Sequence, residues 1–151
     1  MLTRFLAILT LIVALIPAAP AGDGLPGITV WKSPNCGCCV KWIEHLRAAG
    51  FEVEAREAHN LNAVRAQLGV PAKLAGCHSA KVGDYLVEGH VPAEQIKRLL
   101  ADKPDVAGVS VPGMPVGSPG MEGPGGKDYD VVAFDKAGNT RVFATVKPLS
   151  R

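Results

Sequence analysis

The segment that most narrows the folds open to this chain is Thr29-Val30-Trp31-Lys32-Ser33-Pro34-Asn35-Cys36-Gly37-Cys38-Cys39. A short apolar stretch, Ile28 to Trp31, predicts a strand. It runs through a turn into Cys39, Trp42, Ile43, Leu46 and Ala49, which recur at helical spacing, and Gly50 is placed to end that helix. Three of the chain's four cysteines therefore stand at one strand-to-helix junction, and the fourth, Cys77, is followed at once by His78.

The patterns that follow extend this start. Phe51, Val53 and Ala55 alternate with Glu52, Glu54 and Arg56, as in a half-buried second strand. Asn60 caps a second helix with Leu61, Val64 and Leu68 on its apolar face, ended by Gly69 and Pro71. His78 to Val82, the Gly83-Asp84 turn and Tyr85 to Val87 predict a β-hairpin. Pro92 opens a third helix carrying Ile96, Leu99 and Leu100, closed before Pro104. The order β-α-β-α-β-β-α is that of a thioredoxin-like α/β core. From Pro104 to Lys127, 12 of 24 residues are Gly or Pro, which predicts a long loop rather than a helix or strand. Tyr129 to Phe134 and Thr140 to Val146 flank Asp135 to Asn139 as a C-terminal β-hairpin, so the loop is expected to pack back on the domain.

Residues 1–21 read as a signal peptide. Arg4 is followed by an almost unbroken apolar run of 12 residues from Phe5 to Ile16, then by Ala19-Pro20-Ala21, with cleavage expected after Ala21. The run is short for a membrane span of roughly 20 apolar residues, although an uncleaved anchor is the alternative. The remaining residues 22–151 suit a single domain, and no cysteine follows the cleavage site to carry a lipid. The expected location is the periplasm, with no membrane attachment after cleavage. With Arg4 removed, 15 basic residues face 14 acidic ones, so no field is present to attract nucleic acid or an anionic membrane.

The thiols admit several readings. In an oxidising compartment four cysteines can form two disulfides, for example Cys36–Cys39 with Cys38–Cys77. Three thiols within four residues close almost no loop, however, so the entropic gain is slight. Cys36 and Cys39 have C-x-x-C spacing at a helix mouth, where the helix dipole favours thiolate and a dithiol can exchange disulfides. Cys38 inside that motif is a competing nucleophile. As metal ligands, thiolates select Cu(I), Zn or iron–sulfur clusters. Adjacent Cys38 and Cys39 are hard to aim at one ion, and adjacent sulfurs pointing apart suit a multinuclear site better than a tetrahedral zinc.

Two soft thioethers, Met114 and Met121, lie in the Gly/Pro-rich loop and are the only methionines beyond Met1. They read either as ligands favouring Cu(I) or as apolar pins for the loop. His78 and His90 are placed to approach the cluster from the side of the third strand. His45 and His59 are weaker candidates, and Trp31 and Trp42 read as core or site-walling aromatics.

Cys36-Gly37-Cys38-Cys39 after a strand, Gly76-Cys77-His78-Ser79, Glu88-Gly89-His90-Val91-Pro92 and the stretch Val111-Pro112-Gly113-Met114-Pro115-Val116-Gly117-Ser118-Pro119-Gly120-Met121-Glu122 together resemble a known family. It comprises small exported metal-binding proteins, long catalogued as a domain of unknown function, that include a copper-resistance protein of Gram-negative bacteria. The resemblance spans about Ile28 to Val146. It implies a periplasmic thioredoxin-like domain that binds copper, as Cu(I) in a polynuclear cluster, on Cys36, Cys38, Cys39 and Cys77, with Met114, Met121, His78 and His90 as further participants. It also implies a role in copper homeostasis and exchange with other periplasmic copper-handling proteins. A thiol-disulfide or copper oxidoreductase using Cys36 and Cys39 is the alternative, and a structural zinc module is the third reading.

Overall fold

A computed structural model of the chain describes residues 24–149. The expected signal peptide and its cleavage site lie outside the described residues. Among the described residues, no helix is long and apolar enough to cross a membrane.

Among the described residues the fold is mixed α/β, with one seven-stranded sheet and three helices. In chain order these are β1 (Ile28–Lys32), α1 (Gly37–Ala48), β2 (Val53–Glu57), α2 (Leu61–Leu68), a 3-10 turn (Ala72–Leu74), β3 (His78–Val82), β4 (Tyr85–Glu88), α3 (Ala93–Asp102), β5 (Gly108–Ser110), β6 (Tyr129–Phe134) and β7 (Thr140–Val146). Across the sheet the order is β2-β1-β3-β4-β5-β6-β7. β1 is parallel to β2 and antiparallel to β3, and β4 is parallel to β5.

Register puts Val30 beside Ala80, Ala80 beside Val87, Val87 beside Val109 and Val109 beside Ala133. This row shares one core with Trp42, Ile43 and Leu46 of α1 and with Ile96 and Leu99 of α3. Because side chains alternate across a strand, the intervening residues face the other way. There Leu86 and Phe134 form a second cluster with Val70 and Leu74, against which Leu68 of α2 packs. The sheet thus has α1 and α3 on one face and α2 on the other.

Two expectations need correction. β2 is not half-buried: it is an edge strand, and from Glu54 to Glu57 every residue is exposed. The Gly/Pro-rich segment is not all loop either. Gly108–Ser110 is a fully buried strand that joins β4 to the C-terminal hairpin, making a continuous sheet. Its three residues, one a glycine, leave no period-two signature long enough to stand out from the surrounding composition. The rest of the segment does pack back on the domain, with Gly117 to Gly120 buried.

Candidate metal and thiol site

The first turn of α1 is where the helix presents unpaired N–H groups. Cys36 is its N-cap, and its Sγ accepts from the Cys39 N–H at 3.3 Å. Cys77 sits just before β3, against the first turn of α1. Its Sγ lies 3.5 Å from Cys36 Sγ, 3.5 Å from Cys38 Sγ and 3.1 Å from Cys39 Sγ, while Cys36 and Cys38 are 3.6 Å apart. All four sulfurs fall within 4.8 Å of one another. The expectation that Cys38 and Cys39 point apart is therefore wrong. Both lie in the first turn, and Cys77 stands over the helix end, where successive side chains can meet one external atom.

Cys36 and Cys39 are joined by a disulfide, whereas Cys38 and Cys77 are free thiols. Of the double-disulfide reading, only the first bridge is present. Burial, followed by the contact with Cys38, pushes the Cys77 thiol up to about 12. It is therefore a protonated thiol at neutral pH.

The two candidate histidines line the other side of Cys77. His90 Nε2 is 3.1 Å from Cys77 Sγ, and His90 Nδ1 is 2.7 Å from the Pro119 carbonyl oxygen. A carbonyl only accepts, so Nδ1 carries the hydrogen and the Nε2 lone pair faces the sulfur. This is the outer hydrogen bond that orients a metal-ligating histidine. His78 Nδ1 is 3.6 Å from Cys77 Sγ, and its ring lies 4.1 Å from that of Trp42. His78 is fully buried and its Nε2 has no hydrogen-bond partner. Burial, reinforced by His90, pushes its pKa down to about 3; burial also lowers that of His90. Both rings are neutral, the form that binds metals.

Residues that sequence reasoning missed hold Cys77 in place. Glu88 is fully buried on β4 and accepts from Arg65 Nε at 2.7 Å, the Gly76 N–H at 2.8 Å and Ser79 Oγ at 2.5 Å. Arg65 Nη2 in turn donates to the Gly76 carbonyl at 2.6 Å. Both polar groups of Gly76 are thus clamped, which fixes the peptide leading into Cys77. The chain here lies directly on the chain leaving Glu88: a Cβ on Gly76 would stand 2.5 Å from Gly89 Cα. The one sequence signal was a carboxylate ending an apolar strand, Tyr85-Leu86-Val87-Glu88.

The loop closes the opposite side. Gly120 has φ +87°, and a Cβ there would stand 2.7 Å from the Cys38 carbonyl oxygen. Met121 lines a surface groove with Cys38, Lys41 and Glu122. Met114 does not line that groove and is 54% exposed. Trp42 walls the site as expected, donating from Nε1 to the Val91 carbonyl at 2.8 Å, whereas Trp31 lies half-buried with the Arg56 guanidinium 5.8 Å from its ring. His45 stays out of the cluster; its Nε2 accepts the Ala93 N–H at 3.1 Å, capping α3. His59 is exposed.

The fold and site define a small α/β protein in which four cysteines and two histidines converge at the mouth of a helix. A family model described as a protein of unknown function, DUF411, matches residues 74–121, which contain Cys77, both site histidines and most of the loop. Comparison with curated proteins gave no match. Two solved structures, Form 1 and Form 2 of the copper resistance protein CopG, are each 42% identical to the chain with a TM-score of 0.76. Each match covers 82% of this chain and 98% or 99% of the other. The chain belongs to the family of the copper resistance protein CopG.

Proposed function

We propose that the protein is a periplasmic copper-binding protein that holds Cu(I) on Cys36, Cys38, Cys39 and Cys77 as a multinuclear cluster and serves copper resistance. The observation that carries this reading is the convergence of all four sulfurs within 4.8 Å. Thiolate is a soft ligand and Cu(I) a soft ion. With more sulfurs in reach than one ion needs, several ions can share them through bridging sulfur. Membership of the CopG family supports copper as the cargo, and the features of residues 1–21 support export. We read the β2-β1-β3-β4 part of the sheet with α1 to α3 as thioredoxin-like, and place Met121 at the rim as a further soft donor. Other periplasmic copper-handling proteins are the proposed exchange partners.

Reduced protein loaded anaerobically with Cu(I) is expected to take up more than one copper per chain by metal analysis, with a large loss on replacing any one cysteine. Fewer than one Cu(I) per chain, or full loading of a Cys38→Ser/Cys77→Ser double variant, would sink the proposal.

The Cys36–Cys39 disulfide favours a second reading, an oxidoreductase. Two thiolates closing to a disulfide release two electrons, which two Cu(II) ions accept to become two Cu(I). Anaerobic Cu(II) added to the reduced, metal-free protein should then give two Cu(I) per disulfide formed. Replacing either Cys36 or Cys39 should abolish the reaction.

A further inference from the structure

The disulfide takes two sulfurs out of the four-cysteine set but leaves a second donor set intact. Cys77, His78 and His90 also each offer a ligand atom within 4.8 Å of the others, with His78 Nδ1 and His90 Nε2 the nitrogens facing Cys77 Sγ, and neither histidine touches the disulfide pair through any hydrogen bond. We propose that the disulfide form of this protein binds a single redox-inert, borderline-soft divalent ion, Zn(II), on Cys77, His78 and His90. The inference rests on the metal-binding reading of the same pocket, but it concerns a different ion, a different ligand set and the opposite redox state.

Three observations carry it. The first is distance. Bonds of about 2.0–2.1 Å to nitrogen and 2.3 Å to sulfur at a tetrahedral angle set N···S separations at about 3.5 Å. The observed separations are 3.1 Å for His90 and 3.6 Å for His78. The second is orientation: the Pro119 carbonyl holds the His90 hydrogen on Nδ1, so the lone pair of Nε2 is directed at the position an ion would occupy.

The third is the placement of His78. Its ring is fully buried, stacked 4.1 Å from that of Trp42, and held so that Nδ1 rather than Nε2 faces Cys77 Sγ. A packed ring that cannot turn away presents that nitrogen to an ion beside the sulfur. One thiolate with two imidazoles is a borderline set, harder than four thiolates, and it suits Zn(II), which the neighbouring thiols cannot reduce, rather than Cu(I). Cys38, the other free thiol, lies 3.5 Å from Cys77 and is available as a fourth ligand. Closing or opening one disulfide would thus change which ion the pocket prefers rather than empty it.

The test uses the full chain in its disulfide form, with two free thiols verified under denaturing conditions, and Co(II) as the probe. One Co(II) per chain is expected, with a thiolate charge-transfer band and the visible bands of four-coordination, both removed by one equivalent of Zn(II). Cys77→Ser should abolish the charge-transfer band, and His78→Gln and His90→Gln should each weaken binding at least tenfold. Because His78 packs against Trp42, His90→Gln decides the matter if the His78 variant does not fold.

No Co(II) bound by the disulfide form, or binding unchanged in folded His90→Gln, overturns the inference. Cu(I) loading of the reduced chain keeps the two proposals apart. Cu(I) uptake without Co(II) uptake defeats only the present inference. One Co(II) bound by the disulfide form without Cu(I) uptake by the reduced chain defeats only the cluster.

Discussion

The two walls of the site are built on opposite principles. On the helix wall, Cys36, Cys38 and Cys39 belong to one turn of backbone; Cys36 and Cys38 are partly exposed, and two of the three sulfurs have paired with each other. On the sheet wall, Cys77 is fixed by a buried ion pair, and His78 and His90 are buried behind it. One wall can change its chemistry by closing a covalent bond between neighbours. The other can change only if packed structure moves. A thiol cluster that must keep its place while its redox state changes needs one wall of each kind.

Substitutions should separate the walls by the size of their effect. Arg65→Met strips the fully buried Glu88 carboxylate of its cation, and removing one partner of a buried pair typically costs about 3–5 kcal/mol. Urea unfolding is expected to show a loss of that order, whereas Cys38→Ser, at a partly exposed position on the helix wall, should change stability by less than about 1 kcal/mol. Equal losses would mean that the walls are not mechanically distinct.

Acid should also weaken the sheet wall. His78 is held down to about 3 in the folded state, mainly by burial, while its unfolded value is near 6.5. Between those values the unfolded chain binds a proton that the folded chain refuses, so stability present above pH 6.5 is lost as the pH falls toward 3. The slope approaches about 1.4 kcal/mol per pH unit for this one group. Thermal unfolding of the metal-free protein across pH 3–7 checks this, and a folded His78→Gln variant should show a shallower dependence. The smallest effect is expected at the rim. Met121→Leu should weaken Cu(I) binding a few-fold, on the order of 1 kcal/mol, in competition with a chromophoric chelator, and exposed Met114→Leu should not change it.

The same division separates what the residues announced from what they concealed. The helix wall was legible because cysteine is rare in this chain and three stand together, at a junction marked by a period change. Cys77 was legible because the succession of strands and helices carries it to that junction. The geometry among the sulfurs was not, since local spacing alone suggested divergence of Cys38 and Cys39. Arg65 and Glu88 were concealed because one charge on a short helix and one at a strand end look like ordinary surface residues. Only the pairing of β3, β4 and β5 puts Glu88 between Ser79 and Ser110 and buries it. β5 was concealed by its length, and the role of His45 by its partner, a backbone N–H 48 residues away.

The bond between His90 and the Pro119 carbonyl has a consequence for the speed of capture. A histidine free to choose its tautomer presents an N–H to an approaching ion part of the time, and the ion must wait for the ring to exchange or turn. Here that choice is already made by a backbone oxygen 29 residues along the chain. At His90 an arriving ion has no nitrogen proton to move and no ring to rotate. The proton left to displace at this point is that of Cys77, whose sulfur already faces the His90 lone pair at 3.1 Å. Capture between His90 and Cys77 should therefore be paced by the release of a thiol proton.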